Sequence, residues 1–428
     1  MKTTQISILN NINKITKKGW NKTDTIWLLG LYGTAIGAGI LFLPINAGIG
    51  GLIPLIVMTV IAFPLTFFSH QALTRFVLSG KNPSGNITEV VQEHFGIIAG
   101  NIITLLYFFA IYPTLLMYSV AMTNTLNSFI INQLKLIPPP RAILSLFLVI
   151  IMMIIVLFGE KIILKVMSIL VYPFIIALIL IAFYLIPHWQ GAIIETLNIS
   201  KSSNNIWITL WLAIPVMVFS FNHSPIISSF ALVKRIEYGK YAEIKCSRIL
   251  AYSNLLMVIT VMFFVFSCVL SLSPEDLYIA KKQNITILSY LANHFNVPVI
   301  DWLGPPLAIV AITKSFLGHY LGAKEGLNGI ISKVLNHLGK RILPEQLNFI
   351  TSLFILVTAW LVATLNPNIL KMIETLGGPI ISMILFLMPM YAIRKIAIMN
   401  KYCNNISDLF VIIIGLTAIS AIFYSFFY

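Results

Sequence analysis

Long apolar runs, separated by short polar or basic stretches, fill the chain from residue 26 to its end. A helix needs about 20 apolar residues to cross a hydrocarbon core. The pattern predicts eleven such helices, with cores at Ile26–Ala47, Leu52–Val77, Ile98–Asn127, Ala142–Phe158, Val166–Ile186, Ile206–Leu232, Ile249–Leu270, Asp301–Leu321, Phe349–Leu365, Ile369–Ile393 and Ile406–Phe427. Two of these runs are interrupted. The first contains GTAIGAGILFLP, from Gly33 to Pro44, and the sixth contains FSFNHSP, from Phe219 to Pro225. Irregular backbone at bilayer depth survives only if it is buried in protein or lines a wet cavity. A matched pair of broken spans in two halves of a chain points to the binding site of a secondary transporter.

The interval between the breaks also predicts the organisation. Each half holds five spans, an odd number, so the second half enters the membrane from the opposite face. That is the geometry of an inverted repeat. The expected layout is a tail over residues 1–25, one repeat over 26–205, a second over 206–395 and an extra span over 396–428, forming one membrane domain. Ser271–Ile300 and Gly322–Asn348 read as the largest loops. The tail is polar, lacks the apolar core of a signal peptide, and reads as cytoplasmic.

Composition supports the membrane reading. The 428 residues are 58% hydrophobic and 10% charged, against about 25% charged in a soluble domain. The net charge of +14 is a matter of topology rather than of nucleic-acid binding. With the N-terminus inside, 21 of the 28 basic residues fall in inside segments and six outside, leaving Lys314 within a span. This is the positive-inside bias, and it puts the C-terminus outside. Trp27, Trp189, Trp207 and Trp302 lie near span ends and suit an interfacial belt. Cys246, Cys268 and Cys403 have no metal or redox spacing and read as packing residues. Neither G-x-x-x-x-G-K-[ST] nor H-E-x-x-H is present, so ATP-driven transport and zinc hydrolysis find no motif. No metal, cofactor or enzymatic activity is expected.

The candidate chemistry sits at the breaks. Gly33, Gly37 and Gly39, with Thr34 and Ala38 among them, suit either close helix packing or an unwound turn. An unwound turn exposes N–H groups at a half-helix N-terminus, where an anionic group binds. Ser220, Asn222, His223 and Ser224 before Pro225 form a polar cluster too expensive for an ordinary span. They suit a discontinuous helix able to hold an ammonium and a small polar side chain. Lys314, followed by Ser315, reads as an internal cation exchanging protons, or as a structural cation on carbonyls of span one. His319 reads as a relay or an interfacial histidine. Tyr112, ahead of Pro113, is a candidate for a substrate carboxylate, with aromatic packing as the alternative. Thr375, Gly377 and Gly378 suit a hinge or close packing, and Glu374 reads as an outside charge.

Four segments carry a resemblance: WLLGLYGTAIGAGILFLPINAG (Trp27–Gly48), AIPVMVFSFNHSPIISSF (Ala213–Phe230), ITKSFLGHYLGAKEG (Ile312–Gly326) and ATLNPNILKMIETLGGPI (Ala363–Ile380). They closely resemble the bacterial hydroxy/aromatic amino acid permease family, in its serine permease branch. The resemblance runs nearly end to end. It implies an all-α carrier of the amino acid/polyamine/organocation superfamily, with the LeuT-like fold of five plus five helices and one more. It also implies proton-coupled L-serine uptake across a bacterial inner membrane. Substrate contacts carry over to Gly37, Ala38, Gly39, Ser220 and Asn222. Lys314 falls where sodium-coupled relatives place a cation site, a departure that favours the proton. Threonine, D-serine and aromatic amino acid carriage, and a membrane receptor for amino acids, are the alternatives.

Overall fold

The computed structural model describes residues 19–427 apart from 158–159, 192, 195–205 and 296. Among the described residues all regular structure is helical. In chain order the main helices are α1 (Lys22–Ala35), α2 (Ala38–Gly50), α3 (Leu52–Leu78), α4 (Ile87–Asn132), α5 (Arg141–Leu157), α6 (Glu160–Leu185), α7 (Ile206–Ser220), α8 (Ile227–Tyr238), α9 (Ala242–Ser271), α10 (Pro274–Gln283), α11 (Ile287–His294), α12 (Pro298–His337), α13 (Pro344–Leu365), α14 (Ile369–Lys395) and α15 (Asn405–Phe427). Seven helical stretches are long and apolar enough to cross a membrane, or eight when α1 and α2, bent by 50° at their junction, count as one span. Among the seven, Leu210–Ser271 is counted once although it runs through α7, α8 and α9. The shorter apolar helices Arg141–Val156 and Asn405–Ala421 add to these.

Local chemistry sets the boundaries. The Asn86 side chain accepts from the N–H groups of Thr88 and Glu89 and starts α4. Gly51, at φ 92°, turns the chain from α2 into α3. The kink in α4 falls at Gly96, at φ 80°, and Pro113 is carried within the helix. α4 and α12 share the most extensive helix contact. Small residues permit it, since a Cβ on Gly326 would stand 3.1 Å from the Phe108 Cα.

Several expectations need correction. Gly322–Asn348 is helical over most of its length, since α12 runs on to His337 and α13 begins at Pro344. Ser271–Ile300 is not a plain loop: it contains α10 and α11, with Leu277, Ile287, Leu288 and Leu291 buried. Its acidic and basic residues hide two short helices from a hydropathy reading; Ser273 and Asp276 cap the first. Trp27 is no interfacial anchor, being 3% exposed against Phe230, whereas Trp207 is 74% exposed and suits that role. Cys403 is exposed and does no packing.

Candidate functional site

The junction of α1 and α2 is a true helix break. In a continuous helix, Gly33 and Thr34 carbonyls would accept from residues four positions on. The last regular bond runs from Ile36 N–H to Tyr32 O at 3.1 Å; Gly37 N–H, which would take Gly33 O, donates instead to Ala35 O at 3.0 Å. The Ser315 hydroxyl from α12 serves the freed carbonyls, with Thr34 O at 2.8 Å and Gly33 O at 3.3 Å. Glycine at position 37 is a steric requirement: a Cβ would run into Ser315 Oγ and stand 3.0 Å from Tyr118 Cε1. A Cβ on Gly39 would stand 2.8 Å from the Phe219 ring. The Thr34 hydroxyl bonds to Gly30 O at 2.8 Å and is spent on its own helix. Ala38 begins α2, and its side chain lies outside the described residues.

The second break meets the first. Ser220, the last residue of α7, donates its hydroxyl to Gly39 O at 3.0 Å. Asn222 Oδ1 accepts the Ser224 N–H at 3.0 Å, steadying the turn before α8. The His223 N–H, freed by the break, donates to His70 Nε2 at 3.1 Å. The two imidazoles stack with centroids 3.6 Å apart. His70 Nδ1 lies 2.7 Å from Thr66 O. A carbonyl only accepts, so Nδ1 carries the hydrogen and Nε2 is the acceptor that His223 needs. Asn222 Nδ2 and His223 Nε2 are buried without a hydrogen-bond partner among the described residues.

Lys314 also lies at the break, but not on its carbonyls. Its Nζ stands 3.7 Å from the centroid of Phe174 on α6 and has no hydrogen-bond partner among the described residues. The structural pairing considered for it is taken by Ser315. Tyr112 does not join the cluster: it stacks on Phe108 at 4.7 Å and Phe354 at 5.6 Å, facing α13. Six residues on, about 240° around the helix, Tyr118 is the tyrosine of α4 that reaches the break. Span three offers Tyr107, Tyr112 and Tyr118 as candidates, and its proline favours Tyr112 in the sequence; His70 escapes the sequence reading.

Polar clusters close the two ends of the broken spans. At the basic end Lys234 Nζ on α8 donates to Asp24 Oδ1 of α1 at 2.6 Å and to Glu237 at 2.8 Å, while Tyr238 donates to Asp24. Burial alone would raise the Asp24 carboxyl. Hydrogen bonds from Lys234, the Asn21 N–H and Tyr238, with the Lys234 charge, outweigh it and hold the group below the usual carboxylate range. Nearby, Glu325 on α12 accepts from Ser228 of α8 at 2.6 Å and from Tyr107 of α4 at 3.2 Å. At the other end Glu374 accepts from Asn46 of α2 at 3.0 Å and pairs with Lys281 of α10 at 3.6 Å. Glu374 is thus a tether between elements, not a bare charge.

A α2 N-terminus facing an α7 C-terminus offers N–H groups to an anion and carbonyls to a cation within a few ångströms, an arrangement suited to a small zwitterion. Comparison with known proteins agrees with a carrier. The tryptophan/tyrosine permease family matches residues 27–424. The chain belongs to that family. This permease is 67% identical over 430 residues to the serine transporter SdaC of Escherichia coli (strain K12), with both chains fully covered. It is 50% identical to the threonine/serine transporter TdcC of Escherichia fergusonii, over 95% of this chain and 96% of that one. Solved structures with the same fold include MhsT in complex with L-phenylalanine (TM-score 0.57, 17% identity, 95% of this permease and 98% of that chain). A substrate-bound Na+-coupled sialic acid symporter also matches (TM-score 0.57, 13% identity, 93% and 88% covered). The permease is accordingly a multi-pass membrane transporter and not an enzyme.

Proposed function

We propose that this permease imports L-serine by proton symport, through alternating access across a bacterial inner membrane. The observation that carries the reading is the contact between the two breaks, where the Ser220 hydroxyl meets Gly39 O at 3.0 Å. Full-length similarity to a serine transporter supports serine as the cargo. The serine carboxylate takes the N–H groups at Gly39 and its neighbours in the first turn of α2, with Asn222 Nδ2 as a spare donor. The ammonium takes carbonyls at the end of α7. Eleven crossings are read as the eight long spans, the two shorter apolar helices and the separation of α7–α8 from α9, grouped as two repeats of five and one more. The basic end faces the cytoplasm and the C-terminus faces the periplasm.

Coupling is assigned to Lys314. Its amine meets the Phe174 face and, among the described residues, has no hydrogen-bond partner, so a proton gained or lost there is not masked by a paired carboxylate. The next residue, Ser315, holds the α1 carbonyls, so that charge change acts directly on the break. Labelled L-serine uptake into proteoliposomes with an imposed pH gradient and no sodium tests this. The expected result is accumulation abolished by an uncoupler, and lost in Lys314→Ala while serine–serine exchange persists. Accumulation driven only by sodium would sink the coupling assignment; the carbonyls of Gly33 and Thr34 are oxygens of the kind a hard cation uses. Threonine is the second cargo to test, favoured by the 50% identity with a threonine/serine transporter.

A further inference from the structure

His319 lies on α12 one turn beyond Ser315, and is 1% exposed. Its Nδ1 is 2.9 Å from the Ser315 carbonyl oxygen. The carbonyl only accepts, so Nδ1 carries the hydrogen and Nε2 presents a lone pair. That Nε2 has no hydrogen-bond partner among the described residues. Buried polar atoms in native proteins are nearly always paired, and an exception needs a reason. The surroundings supply one. Tyr118 stands edge-on to the imidazole, with centroids 4.9 Å apart. The same Tyr118 ring and the Ser315 side chain together fill the space a Cβ on Gly37 would need. His319 therefore belongs to a wall of α4 and α12 whose other members, Tyr118 and Ser315, pack on Gly37 at the α1–α2 break.

We propose that His319 Nε2 is the acceptor for the side-chain hydroxyl of the transported amino acid, making it a specificity-determining residue of this carrier. The proposal rests on the serine reading. With the carboxylate on α2 and the ammonium at the end of α7, a third contact is needed to tell serine from an amino acid of similar size without a hydroxyl. A neutral imidazole whose only hydrogen is committed to Ser315 O can accept that hydroxyl and offers nothing to a methyl group. Sites that hydrogen-bond a substrate hydroxyl reject the analogue lacking it far better than apolar pockets sort by size, because the buried acceptor is then left unpaired.

The test begins with the wild-type carrier in proteoliposomes and labelled L-serine, with L-2-aminobutyrate as competitor, whose methyl group stands where the serine hydroxyl is. The expected preference for serine is about tenfold or more. His319→Leu is expected to erase it, raising the serine KM while leaving the aminobutyrate inhibition constant nearly unchanged. His319→Gln, which restores an acceptor, is expected to recover part of the preference. Equal competition by both amino acids in the wild type would overturn the proposal, as would full preference retained by His319→Leu. His319→Ala reads the same ratio if the leucine variant does not reach the membrane. Absence of any serine uptake by the wild type would instead defeat the functional reading, which separates the two failures.

Discussion

At Gly39 a missing side chain lets two half-helices meet. The Phe219 ring occupies the space a Cβ would need, and a Cβ on Gly377 would likewise stand 2.8 Å from the ring's opposite edge. Overpacking such a contact costs about 1–3 kcal/mol. Gly39→Ala is expected to lower the initial rate of serine uptake at least several-fold with little loss of protein from the membrane; an unchanged rate would show that the contact opens in transport without strain. His70 acts through the backbone. Removing its Nε2 strands the His223 N–H in a dry interior, at a cost of about 1–3 kcal/mol. His70→Leu should reduce uptake, and His70→Gln, which keeps an acceptor, should restore much of it. Equal loss in both variants would assign His70 to packing alone. The glycines and the polar run at Ser220–Ser224 were legible because they violate the apolar pattern around them. His70 was not, because it stands in span two without a neighbouring breaker, and only the fold brings it to His223. Tyr112 drew attention through Pro113, yet α4 absorbs that proline and turns the phenol away.

Among elements, the division between the broken pair and its surroundings is written in the hydrogen bonds at the basic end. Lys234 and Tyr238 bind α8 to α1, so these two half-helices form one unit. Glu325 joins that unit to α4 and α12. A charge-assisted hydrogen bond contributes about 1.5–3 kcal/mol. Glu325→Leu removes both carboxylate oxygens, and with them the acceptors of Ser228 and Tyr107. A buried reporter, Ala231→Cys in a background without Cys403, should then be labelled several-fold faster by a thiol reagent applied on the basic side. Unchanged labelling would mean that Glu325 does not hold this side shut. Hydropathy located most of these helices. It missed α10 and α11 because short capped helices over the end opposite the basic one obey solvent rules, with charged residues exposed and Leu277 and Leu288 buried.

For the whole molecule, the pH response separates structure from transport. Asp24 keeps its charge because its partners hold the carboxyl low. A depressed carboxylate stabilises the fold fully above its unfolded pKa, about 3.9, and loses that contribution only as pH falls through the lower folded value. The ion pair with Lys234 is therefore constant between pH 5 and pH 8. Asp24→Asn, which leaves the buried Lys234 ammonium with Glu237 as its remaining carboxylate, is expected to cost about 1.5–3 kcal/mol. The accompanying fall in Tm should be the same at both ends of that window, as thermal unfolding in detergent will show. A Tm difference that grows or shrinks between pH 5 and pH 8 would contradict a permanently charged Asp24. Any pH dependence of uptake in this range then comes from the transport cycle and not from loosening of the basic end.

The hydroxyl of Ser315 has a consequence for the journey home. A carrier that accumulates its cargo must turn back with nothing aboard, or it becomes a mere exchanger. With Thr34 O and Gly33 O already answered from within the protein, the unwound segment does not depend on a passenger to be tolerated in an oily interior. The chain carries its own ballast for the return leg.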